Sequence, residues 1–480
     1  MAEKLTHVIG NEKVAGQATA WESVYEPATG TVIAEVPLDD GRALQMAVEK
    51  AAQTFPAWSA TPILERTRVM FRYRDLLVRH QAELAELVTR EHGKVLVDAT
   101  NEVGRGIEVV ELACGAPTIL KGELLTEVAH GVDVSLQRVP LGVVAGITPF
   151  NFPAMIPLWM IPPAIVSGNT FILKPSERTP LTSLRLLELL HEAGLPPGVV
   201  NIVHGGRTVV DGILTHAGIR AVSFVGSQPV AEHVYRTAAA HDKRVQALGG
   251  AKNFHVVMPD ADWDRTIEAL TSSAYGSAGE RCLAGSVAVA VGEAGDQLVE
   301  LMHARAQRLV VGDGRNAQSE MGPLIRAQHR DRVSGYIAQG VSEGAALVYD
   351  GRRHALPEQG FFLGPTLFDQ VESDMTIARE EIFGPVLSVI RRPSLEAAVE
   401  TANRSRFGNT ATIYTQSGRS ARYFRDHIEA GMVGINIGVP APIAWFPFAG
   451  WKNSFYGDLH ATGFDAFMFY TERRVVTERW

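Results

Sequence analysis

The sequence predicts an α/β fold with two domains, each built on a parallel sheet, plus a β-ribbon that serves as an oligomerisation element. Three observations carry this. At 480 residues the chain exceeds one ordinary hydrophobic core. From Leu141 onward, compact β-rich runs alternate with helical segments, the pattern of a parallel sheet with ligands at the carboxyl ends of its strands. A second such alternation begins near Gln246, and a separate alternating stretch, Val132 to Val139, reads as half of a ribbon with one wet face.

Residues 1–40 read as short strands and turns, with the turn signal Pro27-Ala28-Thr29-Gly30. Helical periodicity starts near Asp40 through Ala43, Ala47 and Ala51, and resumes after Pro62 with Val69, Leu76, Leu77, Leu84 and Val88. A third helix is expected from about Asp98 to Ala113, with Val103, Ile107 and Val110 inward, Arg105 off that stripe and Cys114 closing it in the core. Strands follow at 142–147, 170–175, 199–203 and 221–227, with a helix from Leu181 to Ala193 ended by Gly194. The second unit holds a helix leading to Cys282, a strand at 286–291, a helix at 298–309, and later strands at 361–368 and 385–390. Ala466 to Thr477 reads as a closing strand rich in aromatics and β-branched residues. No Gly-x-Gly-x-x-Gly fingerprint is present.

Composition narrows the function. A net charge of −8 without long charged runs argues against nucleic acid or an anionic membrane surface as partner. Two cysteines, Cys114 and Cys282, are too few for a disulfide framework or a thiolate zinc site, so no metal is expected and the cytoplasm is the expected compartment. The N-terminus lacks an apolar signal core. The most apolar region, Val139 to Leu173, is broken by prolines 140, 149, 153, 157, 162 and 163. It reads as buried loop and strand, not a membrane span.

The chemistry centres on Tyr275-Gly276-Ser277-Ala278-Gly279-Glu280-Arg281-Cys282-Leu283-Ala284-Gly285. Small residues leave room for close approach to the sulfur, and the adjacent arginine favours thiolate, the nucleophilic form. The same cysteine read alone is equally a small buried hydrophobe.

Several stretches decide between these readings. Thr148-Pro149-Phe150-Asn151-Phe152-Pro153, Leu173-Lys174-Pro175-Ser176-Glu177, Phe224-Val225-Gly226-Ser227, Gly279-Glu280-Arg281-Cys282 and Glu380-Glu381-Ile382-Phe383-Gly384-Pro385-Val386 together resemble the aldehyde dehydrogenase superfamily, in order and across nearly the whole chain. Gly249-Gly250-Ala251-Lys252-Asn253 and Phe455-Tyr456-Gly457-Asp458-Leu459 are similar to its CoA-acylating methylmalonate-semialdehyde dehydrogenase branch.

The resemblance implies an aldehyde dehydrogenase-like architecture: residues 1–122 and 141–245 as an NAD-binding domain, 246–432 as the domain of the catalytic cysteine, and 123–140 with 433–480 as a bridging element of a homotetramer. It makes Cys282 the nucleophile and Asn151 an oxyanion donor, with NAD held by Thr148, Phe150, Lys174, Glu177, Arg178, Ser227, Gly249, Glu381 and Phe383. A carboxylate at Glu177 on the ribose 2′-hydroxyl favours NAD over NADP. Arg105 and Arg281 are implied to grip a substrate carboxylate; read as residues, Arg105 also fits a solvated helix face and Arg281 fits thiolate activation alone. Hydrolytic relatives carry a glutamate base where this chain has Ala247, in Gln246-Ala247-Leu248-Gly249-Gly250. Alanine accepts no proton, so coenzyme A is expected to take the acyl group; Glu280 as a substitute base is the competing reading, and makes a hydrolytic enzyme. The expected substrate is methylmalonate or malonate semialdehyde, oxidised and decarboxylated to propionyl-CoA or acetyl-CoA.

Overall fold

A computed structural model describes residues 2–16 and 18–480; Met1 and Gln17 of the first expected segment lie outside the described residues. An eight-stranded sheet runs in the order Phe455–Tyr456, Arg244–Leu248, Ala221–Val225, Val143–Ile147, Thr170–Lys174, Val200–Ile202, His7–Ile9, Glu12–Val14. The strands from Arg244–Leu248 to Val200–Ile202 are mutually parallel, and antiparallel strands close both edges. The chain enters at Val143–Ile147, builds outward through 170 and 200, then crosses back to 221 on the other side. That reversal is a topological switch point, where strand ends diverge and leave a crevice.

The second sheet has seven strands, in the order Ala346–Tyr349, Thr366–Asp369, Val386–Arg392, Gly285–Val291, Asn253–Val257, Thr410–Tyr414, Met432–Ile435. All pairings are parallel except that of the Ala346–Tyr349 edge. Glu123–Ala129, Val132–Pro140 and Thr471–Arg479 form a third, antiparallel sheet, the ribbon expected from the alternation at 132–139. Among the described residues no helix is long and apolar enough to cross a membrane.

Three expectations need correction. The proline-broken region contains a helix, Met155–Val166, buried along its whole length. Pro157 falls in its first turn, where an N–H has no helical partner, but Pro162 and Pro163 each remove an interior bond. Burial against the helices Leu96–Cys114 and Gly463–Phe469 outweighs that loss.

The closing segment is not one strand: the helix Gly463–Phe469 precedes the strand Thr471–Arg479. A short apolar run cannot be assigned by period alone. Here Arg244, from a distant strand, donates to the carbonyls of Met468, Phe469 and Thr471 at 3.1, 2.8 and 2.8 Å, satisfying the helix end.

The boundary expected at 245/246 cuts the strand Arg244–Leu248 of the first sheet, and that at 432/433 cuts Met432–Ile435 of the second. The chain passes between the sheets in residues 249–252, where the two adjacent glycines leave the first strand.

Candidate functional site

A cavity of about 500 Å³ opens where Val143–Ile147, Thr170–Lys174, Ala221–Val225 and Arg244–Leu248 end. Thr148, Phe150, Lys174, Glu177, Arg178, Ser227, Gly249, Glu381 and Phe383 all line it, together with Asn151 and Cys282. A second cavity of about 280 Å³ is walled by Arg105, Arg281, Phe152, Met155, Trp159 and Phe448, and again by Cys282. The sulfur therefore stands where the two spaces meet. The second sheet contributes its amino ends: Asn253, Gly285 and Val386 start their strands, and Asn409 directly precedes one.

The turn before Cys282 explains its small residues. Ser277 and Ala278 are left-handed, with φ of 48° and 53°, and Gly279 follows at 72°. Each non-glycine residue there costs about 1–3 kcal/mol, so the surroundings must over-determine the turn. A Cβ on Gly279 would lie 2.3 Å from the Gly384 carbonyl, and one on Gly276 would lie 2.6 Å from the Arg281 guanidinium. Beyond the turn, Asn253 Nδ2 and Asn409 Nδ2 both donate to the Cys282 carbonyl at 2.9 Å. These two amides were not legible as site residues; each pairs across a sequence gap that no local pattern signals.

The thiol itself departs from expectation. Burial pushes it up to about 12, and the Glu381 carboxylate adds to the rise; backbone N–H groups of Cys282 and Leu283 and, last, Arg281 oppose it. Arg281 has little effect because its guanidinium is committed elsewhere: it donates to Asp98 Oδ2 at 2.6 Å, Ser277 Oγ at 3.1 Å and the Ser272 carbonyl at 3.3 Å. The neighbouring cation thus pulls the thiol down as expected, but burial and the Glu381 carboxylate outweigh it. Since the thiolate is the reactive form, alkylation of Cys282 by iodoacetamide in the free protein should climb about tenfold per pH unit between 7 and 10 without a plateau. A plateau near pH 8 would show an ordinary or lowered thiol.

Asn151 is buried in the loop between Val143–Ile147 and Met155–Val166, with Nδ2 donating to the Glu280 carbonyl at 3.0 Å. Its second amide hydrogen is left for another acceptor. The loop is held by groups that sequence reading missed. Buried Lys94 donates from Nζ to the Asn151 carbonyl and to Glu102 Oε2, each at 2.6 Å, and lies 4.2 Å over the Phe152 ring. Glu102 Oε1 accepts from the N–H groups of Ala154 at 2.8 Å and Met155 at 3.2 Å. One signal was available: Asp98, Glu102 and Arg105 recur at i, i+4 and i+7, a charged stripe along one helix face.

In the larger cavity Lys174 Nζ donates to the Pro175 carbonyl at 2.7 Å and Glu177 Oε2 at 3.3 Å. Burial raises the Glu177 carboxyl, but Lys174, a backbone N–H and Arg178 outweigh it and hold the group below its ordinary range, hence charged. Arg178 lies 5.1 Å over the Phe150 ring, which meets Phe383 edge-on at 5.9 Å. Ser227 caps the helix Gln228–Ala239 by position, and its hydroxyl makes no capping bond; Pro229 has no N–H and the Val230 N–H donates to the Ser227 carbonyl at 3.1 Å, so the Ser227 hydroxyl and the Gln228 N–H are what this helix start offers an anion. A side chain at Gly249 would sit 2.8 Å from the Asn453 carbonyl, so only glycine fits there. Glu381 Oε1 accepts from the Ala251 N–H at 2.9 Å, and burial raises its carboxyl to about 7. An adenine dinucleotide suits this set: a charged carboxylate and ammonium for hydroxyls, a helix start for pyrophosphate, and aromatic rings near the sulfur.

The two cations of the smaller cavity are ion-paired. Arg105 donates to Glu108 Oε1 and Oε2 at 3.0 and 2.8 Å and to the Pro442 carbonyl; Arg281 holds Asp98. Neither is a free charge, and an incoming carboxylate would exchange with an acid already there. Ala247 is buried in the apolar cluster with Phe224 and Ala231 and reaches neither cavity. Glu280 is corrected as a candidate base. It is fully buried, lines neither cavity and accepts from the Ile325 N–H at 3.3 Å, and burial pushes its carboxyl well above the ordinary range, disfavouring the charged form a base needs.

A cysteine thus stands between two cavities, on paired parallel-sheet units, a framework shared with a known enzyme family. The chain belongs to the aldehyde dehydrogenase family, whose model matches residues 14–476. Among curated proteins it is 54% identical over 479 residues to malonate-semialdehyde dehydrogenase 2 of Geobacillus kaustophilus (strain HTA426), covering 100% of this chain and 99% of the relative. It is 56% identical over 477 residues to malonate-semialdehyde dehydrogenase 3 of the same strain, with 99% of each covered. Among solved structures it resembles the methylmalonate-semialdehyde dehydrogenase DddC of Oceanimonas doudoroffii, with a TM-score of 0.97, 50% identity and 100% and 99% of the two chains covered. A Sinorhizobium meliloti 1021 protein described as a methylmalonate-semialdehyde dehydrogenase, complexed with NAD, matches with a TM-score of 0.98, 46% identity and coverage of 100% and 98%.

Proposed function

We propose that the chain is an NAD-dependent, CoA-acylating dehydrogenase of malonate and methylmalonate semialdehydes that releases CO₂. The observation that carries this is Cys282 shared between a cavity suited to a dinucleotide and one bearing two arginines, while Ala247 offers no base and reaches neither cavity. The names of the curated relatives and the NAD of the Sinorhizobium meliloti structure support the reading.

Arg105 and Arg281 orient the substrate carboxylate so that the aldehyde carbon meets the Cys282 sulfur. The Cys282 thiol gives its proton to solvent and the sulfur attacks, giving a thiohemiacetal whose oxyanion is stabilised by Asn151 Nδ2 and the Cys282 N–H. NAD, when bound among Lys174, Glu177, Ser227 and Glu381, supplies the hydride acceptor. The acyl group is then a thioester on Cys282, with the carboxylate β to its carbonyl. Loss of CO₂ leaves the bonding electron pair as an enolate on that same carbonyl oxygen, held by the same donors, and a proton from solvent completes the acyl group. The thiol of CoA replaces Cys282, returning its sulfur as thiol.

Malonate semialdehyde with NAD and CoA should yield NADH, CO₂ and acetyl-CoA in equal amounts; a free acid as the main product would overturn the reading. Arg105→Ala should raise KM for malonate semialdehyde roughly 10- to 100-fold while leaving propanal oxidation within about threefold, the worth of a charge-assisted pair. Equal losses on both aldehydes would remove Arg105 from carboxylate recognition.

The ribbon exposes Leu124, Leu125 and Val475, and the final residue Trp480 is 96% exposed. Such apolar groups on an edge-bearing sheet favour burial against other subunits. We therefore propose a cytoplasmic homotetramer. Light scattering should give four times the 52.0 kDa chain mass, and one chain mass would refute it.

A further inference from the structure

We propose that the buried Lys94–Glu102 pair is a positioning device that sets the Asn151 amide for the oxyanion; this rests on the reading of Asn151 as oxyanion donor. Lys94 comes from the bend after Gln81–His92, and Glu102 from the helix Leu96–Cys114. Together they hold the loop at Asn151 itself and at its exit into the helix. The ammonium binds the Asn151 carbonyl and lies over the next ring, Phe152, while the carboxylate binds the first two N–H groups leading into Met155–Val166.

A buried ion pair is a poor device for stability alone, because desolvation consumes most of its attraction. It is a good device for fixing a loop, because both partners are rigidly shared between backbone groups. Lys94 is 1% exposed and Glu102 2%, so neither wavers in solvent. The same helix face also places Asp98, which holds Arg281 at 2.6 Å, and Arg105. One stripe thereby registers the oxyanion loop, the residue before the nucleophile, and the substrate-side cation against each other. Misplacement of a reacting group by about 1 Å costs on the order of a hundredfold in rate, so a loosened loop should be felt in chemistry before binding.

The test is the isosteric double variant Lys94→Met with Glu102→Gln, which removes both charges and keeps an acceptor for the helix N–H groups. Three quantities are read: the rate of the NADH burst at saturating malonate semialdehyde, the rate of Cys282 alkylation by iodoacetamide, and the Kd for NAD. The burst should fall about 10- to 100-fold, with alkylation and Kd within about twofold of the parent. In an Asn151→Ala background the double variant should produce no further fall. Comparable losses in all three quantities, or an additive loss in that background, would overturn the proposal. Asn151→Ala at the parent rate would overturn the oxyanion reading, and the proposal with it. Should the double variant not be recovered folded, Glu102→Gln alone is read against the same criteria, with the same pattern expected at smaller amplitude.

Discussion

Cys282→Ala is expected to lower NADH formation from malonate semialdehyde by at least about 10⁴-fold, the scale of losing the nucleophile from a covalent mechanism. The size follows from the chemistry. Hydride cannot leave a planar aldehyde carbon without creating an acylium cation, whereas a sulfur adduct gives a tetrahedral carbon whose hydride departure regenerates a carbonyl. Nothing else in the walls can substitute. Cys114 ends the helix Leu96–Cys114, borders neither cavity, and has a thiol pushed up to about 11 by burial. Cys114→Ala should therefore turn over like the parent. NAD binding to Cys282→Ala, read by titration, should change little, because the cavity's polar partners are Lys174, Glu177, Ser227 and Glu381. Residual activity within tenfold of the parent would show that no covalent adduct is on the path.

The lining of the larger cavity was legible because motif and topology coincide. Thr148, Lys174, Ser227 and Gly249 each sit at or just past the end of a parallel strand, where an α/β sheet presents its loops. Glu381 and Phe383 were legible only through the family motif, since they come from the other sheet and no local pattern ties them to Lys174.

The electrostatic state of the site was less accessible. Adjacency of Arg281 to Cys282 argued for a thiolate, but the arginine spends its donors on Asp98 and Ser277, and the thiol is raised instead. Lys94 lies 57 residues from Asn151 in sequence, so its grip on the loop is a tertiary fact. The Met155–Val166 helix was hidden for a related reason: its prolines contradict local propensity, and only burial on every side compensates. Partners across the fold, rather than patterns along the chain, decided each of these.

With NAD and malonate semialdehyde present but CoA withheld, NADH should appear as a burst of one equivalent per active site, followed by turnover at least about a hundredfold slower than with CoA. A positioned general base accelerates proton transfer by about 10²–10⁴-fold, and that is the contribution missing from water attack on the acyl-Cys282. The acids of the two cavity walls are otherwise occupied. Asp98 holds Arg281, Glu108 holds Arg105, Glu102 holds Lys94 and Glu177 holds Lys174. Glu280 is buried off both cavities with its charged form disfavoured, and Ala247 offers nothing to protonate. Glu381 is the exception, with a carboxyl at about 7. It is the group to which the slow leak is assigned. A base acts only when deprotonated, so with its carboxyl raised to about 7 the CoA-free rate should increase as pH rises from 6 to 8 and then level. Glu381→Gln should flatten that rise, read in the CoA-free steady state with NAD kept saturating. Linear NADH production without CoA, at the rate seen with it, would show that water discharges the thioester and that the acyl group on Cys282 has no need of a second thiol.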